Sequence, residues 1–256
     1  MEKSLNGKIA LVTGSSRGLG KDAVLNLAQQ GADIVITYKS NAGAAEEVVK
    51  AVESLGQRAV KLPLDTGNIS ALDSFVDKLS QELNRKWNRK DLDILVNNAG
   101  IGAHAMVSDT TEETFDELLN VQFKGVFFLT QKLLPLIKEG GRIINLSTGL
   151  TRFSFPGYAA YASMKGAVEV FTRYLAKEIG PKGITVNVIA PGAIDNDFNK
   201  HAFNANPQIK EMIAAQTALG RVGVSEDIGG VVAYLASDAA RWITGQRIEA
   251  SGGMFL

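Results

Sequence analysis

The sequence predicts an α/β protein: a single Rossmann-type, doubly wound parallel sheet of about seven strands with helices on both faces. Three observations carry that expectation. Short runs rich in Val, Ile and Leu, with little polar alternation, recur along the chain, as strands buried on both faces require. Amphipathic stretches of helical length separate them. A glycine-rich turn follows the first run and opens the first helix.

In chain order, the strand-like runs are 8–13, 32–38, 58–63, 92–97, 141–147, 184–190 and 246–249. The helix-like stretches between them are 19–30, 42–55, 71–84, 111–138, 158–179 and 225–237. The polar run at 84–90 reads as an exposed helix end and loop. No stretch reads as a linker, so residues 1–256 are expected to form one domain carrying both a cofactor site and a substrate site.

The chain has 256 residues, 45% hydrophobic and 21% charged, enough to bury a sizeable core; disorder, collagen and coiled coil are excluded. Lys and Arg number 27 against 27 Asp and Glu, which argues against a nucleic-acid or membrane-surface partner. With no cysteine there is no disulfide framework, thiolate zinc site or cysteine nucleophile. Two histidines far apart, His104 and His201, give no metal-ligand spacing. The first apolar run, at 9–12, is too short for a signal peptide or a membrane span, so a soluble cytoplasmic protein is expected.

The 26 glycines are in excess, and their placement is informative. In Thr13-Gly14-Ser15-Ser16-Arg17-Gly18-Leu19-Gly20, glycines allow a tight turn and close approach of backbone to a pyrophosphate. The following helix start supplies N–H donors and positive potential. Gly14, Ser16, Arg17, Gly18, Leu19 and Gly20 are therefore candidate phosphate contacts. The second strand ends Ile36-Thr37-Tyr38-Lys39-Ser40-Asn41, with no carboxylate for a ribose 2′-hydroxyl. Lys39 and Arg17 are instead placed to pair a 2′-phosphate, with Tyr38, Ser40 and Asn41 beside it. The expected cofactor is NADP(H).

These residues, together with Asn97-Asn98-Ala99-Gly100, the pair Tyr161 and Lys165, and Pro191-Gly192, resemble the short-chain dehydrogenase/reductase family. The stretch from Gly220-Arg221-Val222-Gly223 through Ala236-Ser237-Asp238 to Ile243-Thr244-Gly245 is similar to the 3-oxoacyl-carrier-protein reductase group within it. The resemblance covers the chain from Gly7 to Gly253. It implies that Asn98, Ala99 and Gly100 lie against the cofactor ribose, and Asp65 and Thr66 beside the adenine. Pro191, Gly192 and Ile194 would bracket the nicotinamide carboxamide, with Asn196 where the family often has threonine. It also implies a dimer or tetramer formed through the long helices, and matches Asn120 to the family asparagine that supports a proton-relay water.

Tyr161 and Lys165 lie four apart, one turn along one helix face. A nearby ammonium favours the phenolate, which makes Tyr161 a candidate general acid for reduction and base for oxidation. Tyr158 lies ~10 Å along the helix from Lys165, too far for the same coupling. A hydroxyl should hold the substrate oxygen. The family serine lies 13 residues before the tyrosine, a count that lands on Thr148, whereas Ser147 lies 14 before; both stay open. Candidate substrate-lining residues are Phe153, Phe155 and His104 on one wall. The stretch 196–208, with Phe198, His201 and Phe203, resembles the family's lid on the other. The expected activity is NADPH-dependent reduction of a small-molecule ketone or other carbonyl to an alcohol, run reversibly. The alternatives are a 3-oxoacyl-carrier-protein substrate, or an NADP-binding regulatory or scaffold protein on the same fold.

Overall fold

The structure is a computed structural model that describes residues 3–196, 199, 203 and 208–256. Seven strands form one all-parallel sheet: β1 Ile9–Val12, β2 Asp33–Tyr38, β3 Ala59–Pro63, β4 Leu92–Asn97, β5 Ile137–Leu146, β6 Thr185–Pro191 and β7 Arg247–Ala250. Their order is β3-β2-β1-β4-β5-β6-β7. The order reverses between β1 and β4, so the loops leaving these neighbours diverge and open a crevice at the carboxyl edge of the sheet.

Helices α1 Gly18–Gln29, α2 Ala42–Ser54 and α8 Glu226–Ala236 cover one face. Helices α3 Leu72–Trp87, α5 Gly125–Leu133 and α6 Ala159–Ile179 cover the other. Strand alternation divides the core between them. Ala10, Val12, Ile34 and Ile36 pack with Val24, Leu27, Val48 and Val232. Ile9, Leu11, Val35 and Leu95 pack with Phe75, Leu79, Leu129 and Leu175. Each fully buried aliphatic side chain contributes roughly 1.5–3 kcal/mol.

The expected helix over 111–138 is four pieces. Thr111 caps α4, Glu112–Leu119, by accepting from Thr114 N. A single π-helical turn, Asn120–Lys124, then leads into α5. Pro135 follows in the 3-10 turn Leu134–Leu136, where the missing N–H ends the helix. β5 therefore begins at Ile137, earlier than the apolar run suggested, and its pairing with β4 shifts register between Leu92 and Ile94. An additional helix, α7 Gln208–Ala215, is not among the helix-like stretches expected from the sequence. Of the expected lid residues, Phe198 and His201 lie outside the described residues.

Helices α1 and α8 approach closely because of Gly229. Its N–H donates to Asp22 Oδ2 at 2.8 Å, and a Cβ there would collide with that carboxylate and with Asn26. The next residue, Gly230, faces open space. Gly230→Ala should therefore stabilise the protein by about 0.5–1 kcal/mol through helix propensity, whereas Gly229→Ala should destabilise it by ~1 kcal/mol or more by displacing Asp22. Chemical denaturation of the two variants checks the opposite signs.

Candidate active site

A cleft of about 1120 Å³ opens at the crevice, with the glycine turn at one end and Tyr161 and Lys165 at its floor. Gly14 has φ +61°, and a Cβ there would stand 2.9 Å from Ala99 Cα, so the turn and the loop after β4 meet as bare backbone. Thr13 and Asn98 lock that meeting. Thr13 Oγ1 accepts from the N–H groups of Asn98 and Ala99, both at 2.9 Å, while Asn98 Nδ2 donates to Thr13 O at 2.8 Å. Asn97 faces the other way, into the core, donating to Thr130 Oγ1 at 3.0 Å and Asn145 Oδ1 at 2.8 Å.

The start of α1 opens onto this cleft without a side-chain cap and without an acidic residue in its first turn. Gly18, at φ +54°, has among the described residues only Asn196 Nδ2 near the place a Cβ would take, at 3.9 Å. An uncapped helix start beside bare glycine backbone fits a diphosphate, since the first-turn N–H groups need acceptors. At the far end, Lys39 Nζ lies 2.9 Å from Asp65 Oδ2, both partly exposed. All the cofactor candidates named from the sequence line the cleft: Gly14, Ser16, Arg17, Gly18, Leu19, Gly20, Tyr38, Lys39, Ser40, Asp65, Thr66, Asn98, Ala99, Gly100, Tyr161, Lys165, Pro191, Gly192 and Ile194.

The two hydroxyl candidates separate. Thr148, extended at the end of β5, accepts from Leu150 N–H and lies near the Tyr161 phenol, where its hydroxyl opposes the upward push of burial. Ser147 also lines the cleft, but its Oγ donates to Glu169 Oε1 at 2.6 Å. Asn120 opens the π-helical turn, where its carbonyl accepts from Gly125 N–H, and it is not among the residues lining the cleft. Gln122, two residues on, is. It is fully buried, its Nε2 donates to the Ile101 carbonyl, and its Oε1 has no partner among the described residues. Sequence reasoning missed it because a glutamine in an apolar helix carries no catalytic signal. The extra residue that a π turn inserts, however, moves side chains around the helix.

Burial dominates the electrostatics. Tyr161 is pushed above its ordinary range by loss of hydration, and the Thr148 hydroxyl opposes this. Lys165 is pulled down to about 8 by burial. Its ammonium donates to the Leu146 carbonyl at 3.0 Å and sits 5.9 Å from the centre of the Tyr161 ring. The expectation that Lys165 draws Tyr161 toward the phenolate is thus not met within the protein alone: burial outweighs the ammonium at the phenol, while Lys165, though lowered, keeps its proton at neutral pH.

Substrate-side residues converge as well. His104 packs edge-on against Tyr158, ring centres 5.1 Å apart, and Phe153 and Phe155 line the cleft with Phe203. Phe153 in turn packs against Phe255, 4.7 Å between centres, which brings the C-terminal residues to the wall.

The Lys165 shift has a thermodynamic consequence. An unfolded lysine keeps its proton to ~10.4, so between about 8 and that value the unfolded chain binds the extra proton. Stability should rise with pH across this window through Lys165, by at most about 1.4 kcal/mol per unit. Lys165→Met should flatten the difference, as read by denaturant midpoints at intervals from pH 7.5 to 10.

Comparison with known proteins agrees with this geometry. The family model described as enoyl-(acyl carrier protein) reductase matches residues 14–255. A versicolorin reductase of Emericella nidulans is 38% identical over 262 residues, covering 98% of this chain and 97% of that reductase. The crystal structure of the angucycline C-6 ketoreductase LanV with bound NADP superposes with a TM-score of 0.94 at 40% identity, covering 98% of this chain and 97% of that one. A short-chain dehydrogenase/reductase from Serratia marcescens superposes with a TM-score of 0.90 at 34% identity, covering 99% and 100%. With near-complete coverage at these identities, the chain belongs to the short-chain dehydrogenase/reductase family.

Proposed function

We propose that the protein is an NADPH-dependent ketoreductase acting on a ketone carried by a fused aromatic ring system. The observation that carries this is the meeting of Thr148 and Tyr161 in one cleft, with Lys165 one helical turn from the tyrosine and the glycine turn in the same cleft. When bound, NADPH supplies a hydride to the carbonyl carbon. The uncapped start of α1 and the glycine turn hold its diphosphate, and Lys39 and Arg17 face its 2′-phosphate; for Lys39 this means exchanging Asp65 for the phosphate. Thr148 donates to the carbonyl oxygen, and Tyr161, kept protonated by burial, passes its proton to that oxygen as the alcohol forms. Lys165, as an ammonium, then offsets the charge left on Tyr161.

The aromatic wall of Phe153, Phe155 and Phe203 supports a flat substrate, and the versicolorin and angucycline reductases act on ring systems of that kind by name. The absence of cysteine, and of any described helix long and apolar enough to cross a membrane, fits action in the cytoplasm. An apolar groove between α5 and α6, lined by Phe123, Phe127, Val170, Phe171 and Tyr174, supports association with further copies of the chain as a dimer or tetramer.

Tyr161→Phe should lower turnover of a polycyclic aromatic ketone at least about 100-fold while NADPH still binds, as measured by nicotinamide absorbance and by titration. Undiminished turnover excludes the reading. The same assay with NADH should show weaker binding, and equal constants for the two cofactors exclude the Lys39 assignment. Light scattering should give a mass two or four times the 27.3 kDa of one chain, and Val170→Glu should lower it.

A further inference from the structure

Glu169 and Arg247 take no part in the chemistry above, yet they stand directly behind Thr148. Glu169 lies one turn beyond Lys165 and two beyond Tyr161 on α6, on the same side of the helix. Its Oε1 accepts from Ser147 Oγ at 2.6 Å and from Arg247 Nε at 2.9 Å. Thr151 Oγ1 lies 2.7 Å from the same oxygen and 3.0 Å from the Thr148 carbonyl, and donates to one of them at a time. Arg247, on the edge strand β7, donates from Nη2 to the Thr148 carbonyl at 3.2 Å and from Nη1 to Glu249 at 3.0 Å. The side chains of Glu169 and Arg247 are only 13% and 22% exposed, so the pair is shielded and directional rather than a screened surface contact.

One carboxylate thus ties down the residue before Thr148 and the hydroxyl three residues after it, while its partner arginine holds the peptide carbonyl of Thr148 itself. The loop from Ser147 to Tyr158 has only the single turn Gly149–Thr151 as regular structure; Ser147 N–H donates to the Ile189 carbonyl at 2.7 Å and Leu150 N–H to Thr148 Oγ1 at 3.3 Å, and the side chains of Glu169 and Arg247 add to these backbone bonds a hold on both sides of Thr148. Because Glu169 and Tyr161 share a rigid helix, the anchor makes the separation of the Thr148 hydroxyl from the Tyr161 phenol a property of one body.

We propose that Glu169, with Arg247, is the positioning residue of the active site: it sets the Thr148 hydroxyl against Tyr161 by clamping the backbone on both sides of Thr148. The Ser147 hydroxyl belongs to this clamp and not to the substrate. The inference rests on the reading that Thr148 holds the carbonyl oxygen. Displacing a polar contact by about 1 Å costs up to roughly 100-fold in rate.

The test is a double-mutant cycle between Glu169→Ala and Thr148→Val. Glu169→Ala should lower kcat roughly 10- to 100-fold with the KM for NADPH unchanged. Glu169→Gln, which keeps an acceptor oxygen but drops the charge facing Arg247, should fall between it and the parent, and it carries the cycle if the alanine variant does not fold. In the Thr148→Val background, removing Glu169 should have no further effect on kcat, because the hydroxyl it positions is gone. Equal losses in both backgrounds, or a parental kcat in Glu169→Ala, overturn the positioning role. If Thr148→Val alone keeps the parental kcat, the assignment of Thr148 falls and the positioning role with it. If Thr148→Val is impaired while the two losses simply multiply, the positioning role alone falls.

Discussion

The placement of α6 over the sheet is the constraint on which the rest of the site depends, and a short string of buried amides and hydroxyls sets it. Asn97 on β4 donates to Thr130 on α5 and to Asn145 on β5, and Asn145 donates onward to Thr172 on α6 at 2.9 Å. All four side chains are buried. Apolar packing alone lets a helix slide on a sheet at small cost, because one methyl serves nearly as well as the next. A buried hydrogen bond does not: a slide leaves a donor or acceptor unpaired at about 1–3 kcal/mol each. Tyr161, Lys165 and Glu169 project from the same side of this helix as Thr172, so fixing Thr172 fixes the height of all three above the carboxyl edge of β5.

The position so defined is dry, and dryness decides the protonation states. Tyr161 is raised and Lys165 lowered by the same loss of hydration. A neutral phenol is the form that can give a proton to a developing alkoxide. The lysine is best regarded as a charge that becomes valuable once the phenol has lost its proton. Its bond to the Leu146 carbonyl holds the ammonium near the floor until then. Charge pairs at the cleft's outer end behave differently. Lys39 and Asp65 face water, so their mutual attraction is weak.

Much of this was legible in the sequence because strong local rules wrote it. Buried parallel strands must be apolar on both faces, so β1 to β6 were visible as apolar runs, with the half-buried edge strand β7 and its Arg247 and Glu249 the exception, and the glycines at 14, 18 and 20 marked a turn that lines the cleft. Tyr161 and Lys165 were visible because a helix puts residues four apart on one face. What escaped depends on contacts remote in sequence or on one inserted residue. Ser147 and Thr148 are adjacent hydroxyls on the same strand end, and alternation of the strand sends one to Glu169 and the other to Tyr161. Spacing pointed to Thr148, but nothing local revealed the carboxylate that occupies Ser147. The π-helical turn takes Asn120 off the cleft wall and puts Gln122 on it, and no propensity announces such a turn. Pro135 did mark the end of α5, against an amphipathic pattern that ran on to 138.

The least legible part of the site is also the part that selects the substrate, and there is a physical reason for the coincidence. Phosphate binding and proton transfer need fixed backbone and fixed helix faces, which leave periodic or glycine-rich signatures. A substrate wall needs only bulk at the right place, which any segment can supply. Here the chain's last residues supply part of it. Arg152 binds Glu249 through two hydrogen bonds at 2.8 Å and donates to the carbonyls of Met254 and Phe255. That tether sets Phe255 against Phe153 and turns Met254 toward Phe203 and Ile213. Glu249 also accepts from Arg247, so the tether of the substrate wall and the anchor behind Thr148 share a carboxylate. The shape of the pocket and the position of its hydroxyl are therefore mechanically joined through β7, and a substitution that reshapes the wall at Arg152 or Glu249 reaches the catalytic floor through the same arginine.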